Sequence, residues 1–257
     1  MTGTGPGEAG GDGEPIVLDV GGDGVATLTL NRPGKLNIYN LAMRDALIEA
    51  LAAVRDHPDA RALLLRAEGR HFSAGADLSE FGTAGSILEA RRIRWDRDPW
   101  VPLWTLPQPT VVALHGYALG AGLEMSLLCD LRLAGPDTIV GLPETGLGML
   151  PSAGGTQSLP RVVGPASALP LVLGGERVEA AEACRRGIVH RVCDDVEAEA
   201  RAVAVALARL PAGAAAAARR ALRAAVDLPL AAGLEEEHRL AVLAAASRRS
   251  GGPPPTR

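Results

Sequence analysis

Short apolar runs alternate with helical patterns along most of this chain, and this alternation restricts its fold more than any other feature. Two β-branched runs, "IVLDV" and "VATLTL", flank "GGDG" and predict a hairpin. Further strands are predicted at "ALLLR", "PTVVALHG", "LRLA" and "TIVGL", with helices at about 40–55 and at "LEMSLLCD". Strands that alternate with helices predict βαβ units and a mainly parallel sheet, so the predicted fold class is α/β.

The pattern changes after about residue 155, where helices predominate and only "IVHRV" is typical of a strand. We therefore expect an α/β core over 16–195 and a C-terminal helical region over 196–249. The apolar faces of these Ala-rich helices leave open whether the region packs within the chain or on another subunit. Residues 1–15 and 250–257 are predicted to be disordered tails from their composition.

Charge and cysteine content restrict the partners and the compartment. The formal net charge of −4 argues against a basic face that binds nucleic acid or an anionic membrane surface. The apolar runs are too short or too broken by Gly to span a bilayer. Three cysteines without CxxC spacing indicate reduced thiols. We expect a cytoplasmic protein with no nucleic-acid and no membrane partner.

The stretch "GYALGAGLEMSLLCD" places Glu124 in the first turn of an apolar helix, behind a run of small residues. Backbone amides near Gly120, Ala121 and Gly122 are then unpaired at the start of the helix. One interpretation is structural, because the helix dipole favours an acid in the first turn. The other is functional, because small residues let a substrate approach the amides, and amide pairs at a helix start commonly form oxyanion holes.

A second acid, Glu144, follows a predicted strand in "TIVGLPETGLGMLPSAGGTQ". If Glu124 and Glu144 meet over one cavity, they can divide acid and base roles, provided that their environments separate their pKa values. The alternative for Glu144 is a loop acid that caps the helix predicted to begin near Gly155.

A third segment, "HFSAGADL", also leaves a strand through small residues. We expect Gly75 to supply the backbone angles of a tight turn and Asp77 to cap the next helix. The same turn would leave the amide of Ala76 free to donate a hydrogen bond.

Five segments together resemble the enoyl-CoA hydratase (crotonase) family in order and spacing. They are "NRPGKLN", "HFSAGADL", "GYALGAGLEMSLLCDLRLA", "GLPETGLGMLPSAGGTQSLPRVVG" and "GERVEAAEACRRGIVHRV". The resemblance covers roughly residues 16–245. It implies a crotonase-like spiral of ββα repeats with a C-terminal helical region that serves oligomerisation and covers the site. It also implies an acyl-CoA thioester substrate and a homotrimer or a dimer of trimers.

Motif by motif, the resemblance assigns the oxyanion-hole amides to Ala76 and Ala121 and the two catalytic acids to Glu124 and Glu144. It implies substrate or CoA contacts by six further residues: Lys35, Leu36, Ala74, Asp77, Leu78 and Gly122. It implies no metal site and no separate cofactor, since coenzyme A is part of the substrate.

Two acids favour hydration of the 2,3 double bond of an enoyl-CoA, or the reverse dehydration of a 3-hydroxyacyl-CoA. The residue matching Glu124 would orient or deprotonate water, and the one matching Glu144 would deliver the proton to the α-carbon. Two alternatives stay open: an enoyl-CoA double-bond isomerase and a non-catalytic acyl-CoA-binding homologue.

The segment "RRIRWDRDPWVPLW" holds Trp95, Trp100 and Trp104. Packing in the core or at an interface is one interpretation. The other is that one of them lines an acyl pocket and favours an unusual, for example cyclic, acyl group. Ile38 and Tyr39, in "LNIYN", stand where related sequences commonly have a smaller residue and are expected to narrow or reshape the pocket.

Overall fold

The computed structural model describes residues 13–91 and 96–250, with the side chains of 247–250 excepted. Predicted features at 1–12, 92–95 and 251–257, which include most of both tails and Trp95, lie outside the described residues. The strands are β1 (Ile16–Val20), β2 (Val25–Leu30), β3 (Ala62–Ala67), β4 (Thr110–Leu114), β5 (Tyr117–Leu119), β6 (Leu131–Ala134), β7 (Ile139–Gly141), β8 (Arg177–Glu179) and β9 (Arg191–Val192).

The helices follow or separate these strands. They are α1 (Leu41–Asp56), α2 (Ile87–Arg91), α3 (Trp100–Thr105), α4 (Ala121–Leu127), α5 (Gly155–Val163), α6 (Pro165–Val172), α7 (Ala180–Arg185), α8 (Val196–Ala208), α9 (Ala212–Asp227) and α10 (Leu230–Ser250). Helix α1 begins where its sequence allows a cap, because the Asn40 side chain accepts a hydrogen bond from the amide of Met43 at 2.9 Å.

The strands form two sheets. The larger has the order β1-β2-β3-β4-β6-β9, and the smaller has the order β5-β7-β8. Strands β1 and β2 are the predicted antiparallel hairpin, whereas β2, β3, β4, β6 and β9 run parallel. Strand pairs β4-β5 and β6-β7 each send one strand to each sheet and then lead to a helix. These are the expected ββα repeats, so the predicted α/β class is confirmed.

Successive side chains of the central strands point to opposite faces of the sheet, and each face packs against its own apolar layer. Leu63 and Leu65 of β3 join the cluster that contains the buried residues of α1 and α4, whereas Ala62 and Leu64 face α8. Helix α8 presents Ala200, Ala204 and Ala208 to the sheet, and these small side chains allow close approach. This part of the Ala-rich region therefore packs within the chain.

Strand β8 is the main difference from the sequence prediction, which contained no strand there. Of its three residues only Val178 is buried, and it pairs antiparallel with β7. A segment this short carries too little alternation to identify from its own sequence. The strand predicted at "IVHRV" is also shorter, since β9 comprises Arg191 and Val192 alone.

No single helix in the described ranges is long and apolar enough to cross a membrane. Helices α8 and α9, which are bent by 110° relative to each other, are together long and apolar enough when only length and composition are considered.

Candidate active site

A cavity of about 1030 Å³ is lined by the segment 74–78, which follows β3 along the chain, and by the turn from β5 into the start of α4. Both acids and both amide-bearing alanines predicted from the sequence line it, namely Glu124, Glu144, Ala76 and Ala121. So do three of the six predicted substrate contacts: Ala74, Asp77 and Leu78. The fold thus brings most of the predicted site residues to one space.

The turn from β5 into α4 places Ala121 at the wall of this cavity. Gly120 has φ 50° and ψ −124°, which side-chain-bearing residues rarely adopt. Its amide bonds the carbonyl of Gly141 at 2.9 Å, which holds the turn against β7. Ala121 is the first residue of α4, so its N–H has no acceptor within the helix.

The amide of Ala76 is freed by a different arrangement. Ala76 forms an isolated parallel bridge with Tyr39, whose amide bonds the Gly75 carbonyl and whose carbonyl accepts from Asp77, both at 2.8 Å. This pattern uses the groups on either side of Ala76 and leaves its own N–H without a hydrogen bond among the described residues. Gly75 has φ 107°, as expected for the turn, and lies directly against Leu119 and Gly120. The two free amides therefore belong to adjoining turns.

Glu124 is almost fully buried, at 2% exposure. Its Oε1 accepts hydrogen bonds from the amides of Ala153 at 2.9 Å and Gly155 at 2.8 Å, at the start of α5. Glu124 lies in the first turn of α4, and its carboxylate also accepts hydrogen bonds from the backbone amides at the start of α5. These bonds use Oε1 and fix the orientation of the side chain at the cavity wall.

Glu144 lies in the short 3-10 helix Pro143–Leu147. Its Oε2 is buried without a hydrogen-bond partner among the described residues. Burial raises the pKa of this carboxyl, and a hydrogen bond with its own backbone amide offsets the effect in part. Glu144 does not cap the helix at Gly155, so that alternative is wrong; Glu124 accepts from that amide instead.

The two acids thus have different environments, as a division of roles requires. One oxygen of Glu124 accepts hydrogen bonds from two backbone N–H groups, and such donors stabilise an ionised carboxylate. Glu144 has an unpaired buried oxygen and a pKa above its ordinary value, which favours the protonated acid.

The remaining predicted contacts have other positions. Gly122 does not line the cavity; a Cβ there would lie 2.8 Å from the Ser73 Cβ, so its small size serves packing between α4 and the strand exit. Lys35 and Leu36 also lie outside the cavity lining, in the exposed turn after β2. The Leu36 carbonyl accepts from the amide of Ala74 at 3.0 Å, so this turn adjoins the cavity wall. Substrate contact by these three residues stays a prediction.

Asp77 caps the 3-10 helix Leu78–Glu80, as expected, by accepting from the amide and hydroxyl of Ser79 at 3.1 and 2.6 Å. The Ser79 hydroxyl, the strongest influence, lowers the pKa of Asp77. Within the described ranges, no three His, Cys, Asp or Glu side chains are grouped so as to hold a metal ion. The expectation that no cofactor is needed stays a prediction.

Helix α9, which belongs to the C-terminal helical region that the resemblance expects to cover the site, closes one side of the cavity. Arg223, Val226 and Asp227 of α9 line it. Asp130 holds the helix through ion pairs with Arg219 at 2.6 Å and Arg223 at 3.3 Å. The Arg223 guanidinium also lies 4.1 Å from the centre of the Trp104 ring.

Two free amides and two carboxyl groups in different environments, all at one largely apolar cavity, define a class of enzyme that stabilises an oxyanion and transfers protons. The model of the enoyl-CoA hydratase/isomerase family matches residues 21–251. The chain belongs to this family.

Individual relatives agree with this assignment. "Probable enoyl-CoA hydratase echA8" of Mycobacterium tuberculosis is 38% identical over 220 residues, covering 84% of each chain. The 2,3-dehydroadipyl-CoA hydratase of Escherichia coli is 39% identical over 224 residues, covering 85% of this chain and 86% of the relative. The crystal structure of enoyl-CoA hydratase from Thermoplasma volcanium superposes with a TM-score of 0.84 at 27% identity, covering 94% of this chain and 98% of that one. The crotonase-like fold expected from the sequence is confirmed.

Proposed function

We propose that this protein is an enoyl-CoA hydratase that adds water across the 2,3 double bond of an enoyl-CoA thioester, or catalyses the reverse dehydration. The observation that carries the proposal is the placement of Glu124 and Glu144 at the same cavity as the free amides of Ala76 and Ala121. Family membership supports the acyl-CoA substrate.

The amides act on the charge that develops during the reaction. Attack of water on the β-carbon moves electron density onto the thioester oxygen and produces an enolate. Donors from Ala76 and Ala121 would bind this oxygen more strongly in the transition state than in the substrate, which lowers the barrier. Loss of one such donor typically costs about 3 kcal/mol, or roughly 100-fold or more in rate.

The two carboxyl groups divide the proton transfers. Glu124, with Oε1 bound by the amides of Ala153 and Gly155, takes a proton from the attacking water. Glu144, whose pKa is raised by burial, gives its proton to the α-carbon of the enolate. Glu124 gains one proton and Glu144 loses one, so the two carboxyl groups together hold the same number of protons before and after water is added.

Three wider features belong to the same proposal. We infer that the protein works in the cytoplasm, which its free cysteines support. We infer a homotrimer or dimer of trimers, in line with apolar side chains on the C-terminal helices that are exposed in the single chain, such as Leu222 and Leu230. We also infer that catalysis uses no metal or separate cofactor, because amides and carboxyl groups account for each step.

The test is incubation of the purified protein with crotonyl-CoA in water enriched in oxygen-18. The proposal predicts loss of the enoyl thioester absorbance and one labelled oxygen on the β-carbon of 3-hydroxybutyryl-CoA. An isomerase would instead interconvert 2-enoyl-CoA and 3-enoyl-CoA without labelled oxygen. Binding of crotonyl-CoA with neither reaction would contradict the proposal and favour a binding protein.

A further inference from the structure

Aromatic side chains are scarce in this protein and concentrate at the cavity. The sequence contains three Trp, two Tyr and two Phe. Of those whose structure is described, Tyr39, Phe81, Trp100 and Trp104 line the cavity. The core is built mainly from Leu, Ala and Val. Most of the described rings therefore lie at the cavity, where Tyr39 and Trp100 also pack against the main core.

Tyr39 places an aromatic ring beside the predicted oxyanion hole. Its backbone bonds on both sides of Ala76, so the two residues are paired neighbours. The Tyr39 and Trp100 ring centres lie 5.0 Å apart with a 39° angle between planes, a tilted arrangement typical of favourable aromatic contacts. Burial, the main cause, raises the pKa of the Tyr39 hydroxyl, so the side chain stays neutral.

The orientation of Trp104 is fixed by α9. Trp100 and Trp104 are four residues apart on α3, so they share a helix face. The guanidinium of Arg223 lies over the Trp104 ring, and Asp130 holds Arg223 in turn. Tyr39, Trp100 and Trp104, with Phe81 on the same cavity, form what we call the aromatic wall.

We propose that the aromatic wall makes this protein selective for thioesters whose acyl group carries an aromatic ring. This inference rests on the proposed function for its acyl-CoA ligand. Ring pairs contribute attraction beyond the apolar area that they bury, and an acyl ring gains it from several members of the wall. The pairing of Tyr39 with Ala76 keeps the wall within reach of an acyl group whose thioester oxygen is bound by the Ala76 amide.

Selectivity is measured by calorimetric binding of saturated acyl-CoAs, which cannot be hydrated. The probes are 3-phenylpropanoyl-CoA, its non-aromatic match 3-cyclohexylpropanoyl-CoA, and butyryl-CoA. We expect the phenyl compound to bind about threefold or more tighter than the cyclohexyl compound, and both to bind tighter than butyryl-CoA. Equal affinity for the phenyl and cyclohexyl compounds, or tighter binding of the cyclohexyl one, would overturn the proposal.

Substitutions in the aromatic wall test whether its side chains cause the preference for the phenyl compound. Tyr39→Leu and Trp100→Leu should each reduce the phenyl-to-cyclohexyl preference, whereas Tyr39→Phe keeps the ring and should retain it. Tyr117→Leu is the matched control, because Tyr117 stacks on His71 with ring centres 4.4 Å apart and does not line the cavity. A preference that survives in both leucine variants would refute the assignment to Tyr39 and Trp100.

The wild-type comparison does not depend on how well the variants fold. It also separates this inference from the proposed function, because binding is measured without turnover. Phenyl preference without hydration of any enoyl-CoA would contradict the hydratase alone. Hydration of crotonyl-CoA without phenyl preference would contradict the aromatic selectivity alone.

Discussion

The carboxyl group of Glu144 lies against the backbone of Gly120, where any larger residue would place its side chain. A Cβ built on Gly120 would stand 2.7 Å from Glu144 Oε1 and 3.5 Å from the Cα of Gly75. The same glycine adopts φ 50° at the turn that frees the Ala121 amide. One residue therefore makes room for the proposed proton donor and shapes the turn that carries a proposed oxyanion-hole amide.

Gly120→Ala should abolish most activity. The new methyl group would displace Glu144 and strain the turn, so we expect kcat/KM to fall by roughly 100-fold or more, as for loss of an oxyanion donor. The strained backbone should also cost on the order of 1–3 kcal/mol of stability. Steady-state kinetics and thermal unfolding measure the two effects.

Gly187→Ala is the matched control for backbone strain. Gly187 also has a positive φ, 78°, but a Cβ there would meet nothing within 4 Å, and it does not line the cavity. This variant should lose stability and keep its activity. Equal loss of activity in both variants would mean that strain alone, rather than the Glu144 contact, explains the effect.

The pH dependence of the reaction should reveal Glu144 as the proton donor. In the proposed mechanism Glu124 is the base and Glu144 is the proton donor, and burial raises the pKa of Glu144. Activity should fall as pH rises through that pKa, because the proton donor is lost. A kcat/KM profile without this fall at high pH would contradict the role of Glu144 as proton donor.

The free energy of unfolding of Glu144→Gln, measured relative to that of the wild type, should increase as pH rises. The folded-state pKa of Glu144 is above its unfolded value, so the stability that this carboxyl contributes is present below the unfolded pKa. It is lost as pH rises through the folded pKa. For a chain of this size each kcal/mol shifts Tm by about 2–4 °C. Thermal unfolding between pH of about 4 and about 8 checks the sign, and a constant difference in Tm would contradict it.

Asp130→Ala should loosen α9. Besides its ion pairs with Arg219 and Arg223, Asp130 accepts from the amide and hydroxyl of Thr110 at 2.7 and 3.0 Å. Removing it leaves two largely buried guanidinium groups unpaired, which should cost on the order of 3 kcal/mol. Because Arg223 supports Trp104 at the cavity, KM should rise more than kcat falls. A variant with wild-type KM would show that the Asp130 contacts do not shape the cavity.

The sequence predicted the elements of the core closely, because its strands are distinct β-branched or aliphatic runs. Strands β1 and β2 coincide with "IVLDV" and "VATLTL", and α1 begins one residue after the Asn40 cap. The three-residue β8 could not be identified in the same way, since its residues take strand geometry only from pairing with β7.

The site was predicted less completely because its key contacts join distant segments. Local sequence explains why an acid suits the first turn of α4, but not that the Glu124 carboxylate accepts hydrogen bonds at the start of α5. The support of Trp104 by Arg223, which is 119 residues away in sequence, likewise depends on tertiary packing. Clustering of the Trp residues was visible in the sequence, whereas their contact with Tyr39 was not.

The central claim is that Glu124 is a catalytic base rather than a structural cap, and Glu80 provides a matched comparison. Glu80 also lines the cavity and accepts a hydrogen bond from the amide of Leu41, the first residue of α1, at 3.0 Å. Both residues are therefore carboxylates at helix starts, and glutamine retains an oxygen acceptor in either place.

The most direct measurement compares kcat/KM for crotonyl-CoA hydration in the wild type, Glu124→Gln and Glu80→Gln. We predict a loss of about 100-fold to 10,000-fold in Glu124→Gln, as expected when a general base is removed, and a change of only about twofold in Glu80→Gln. A Glu124→Gln variant as active as Glu80→Gln would contradict the account, because Glu124 would then be only a helix cap.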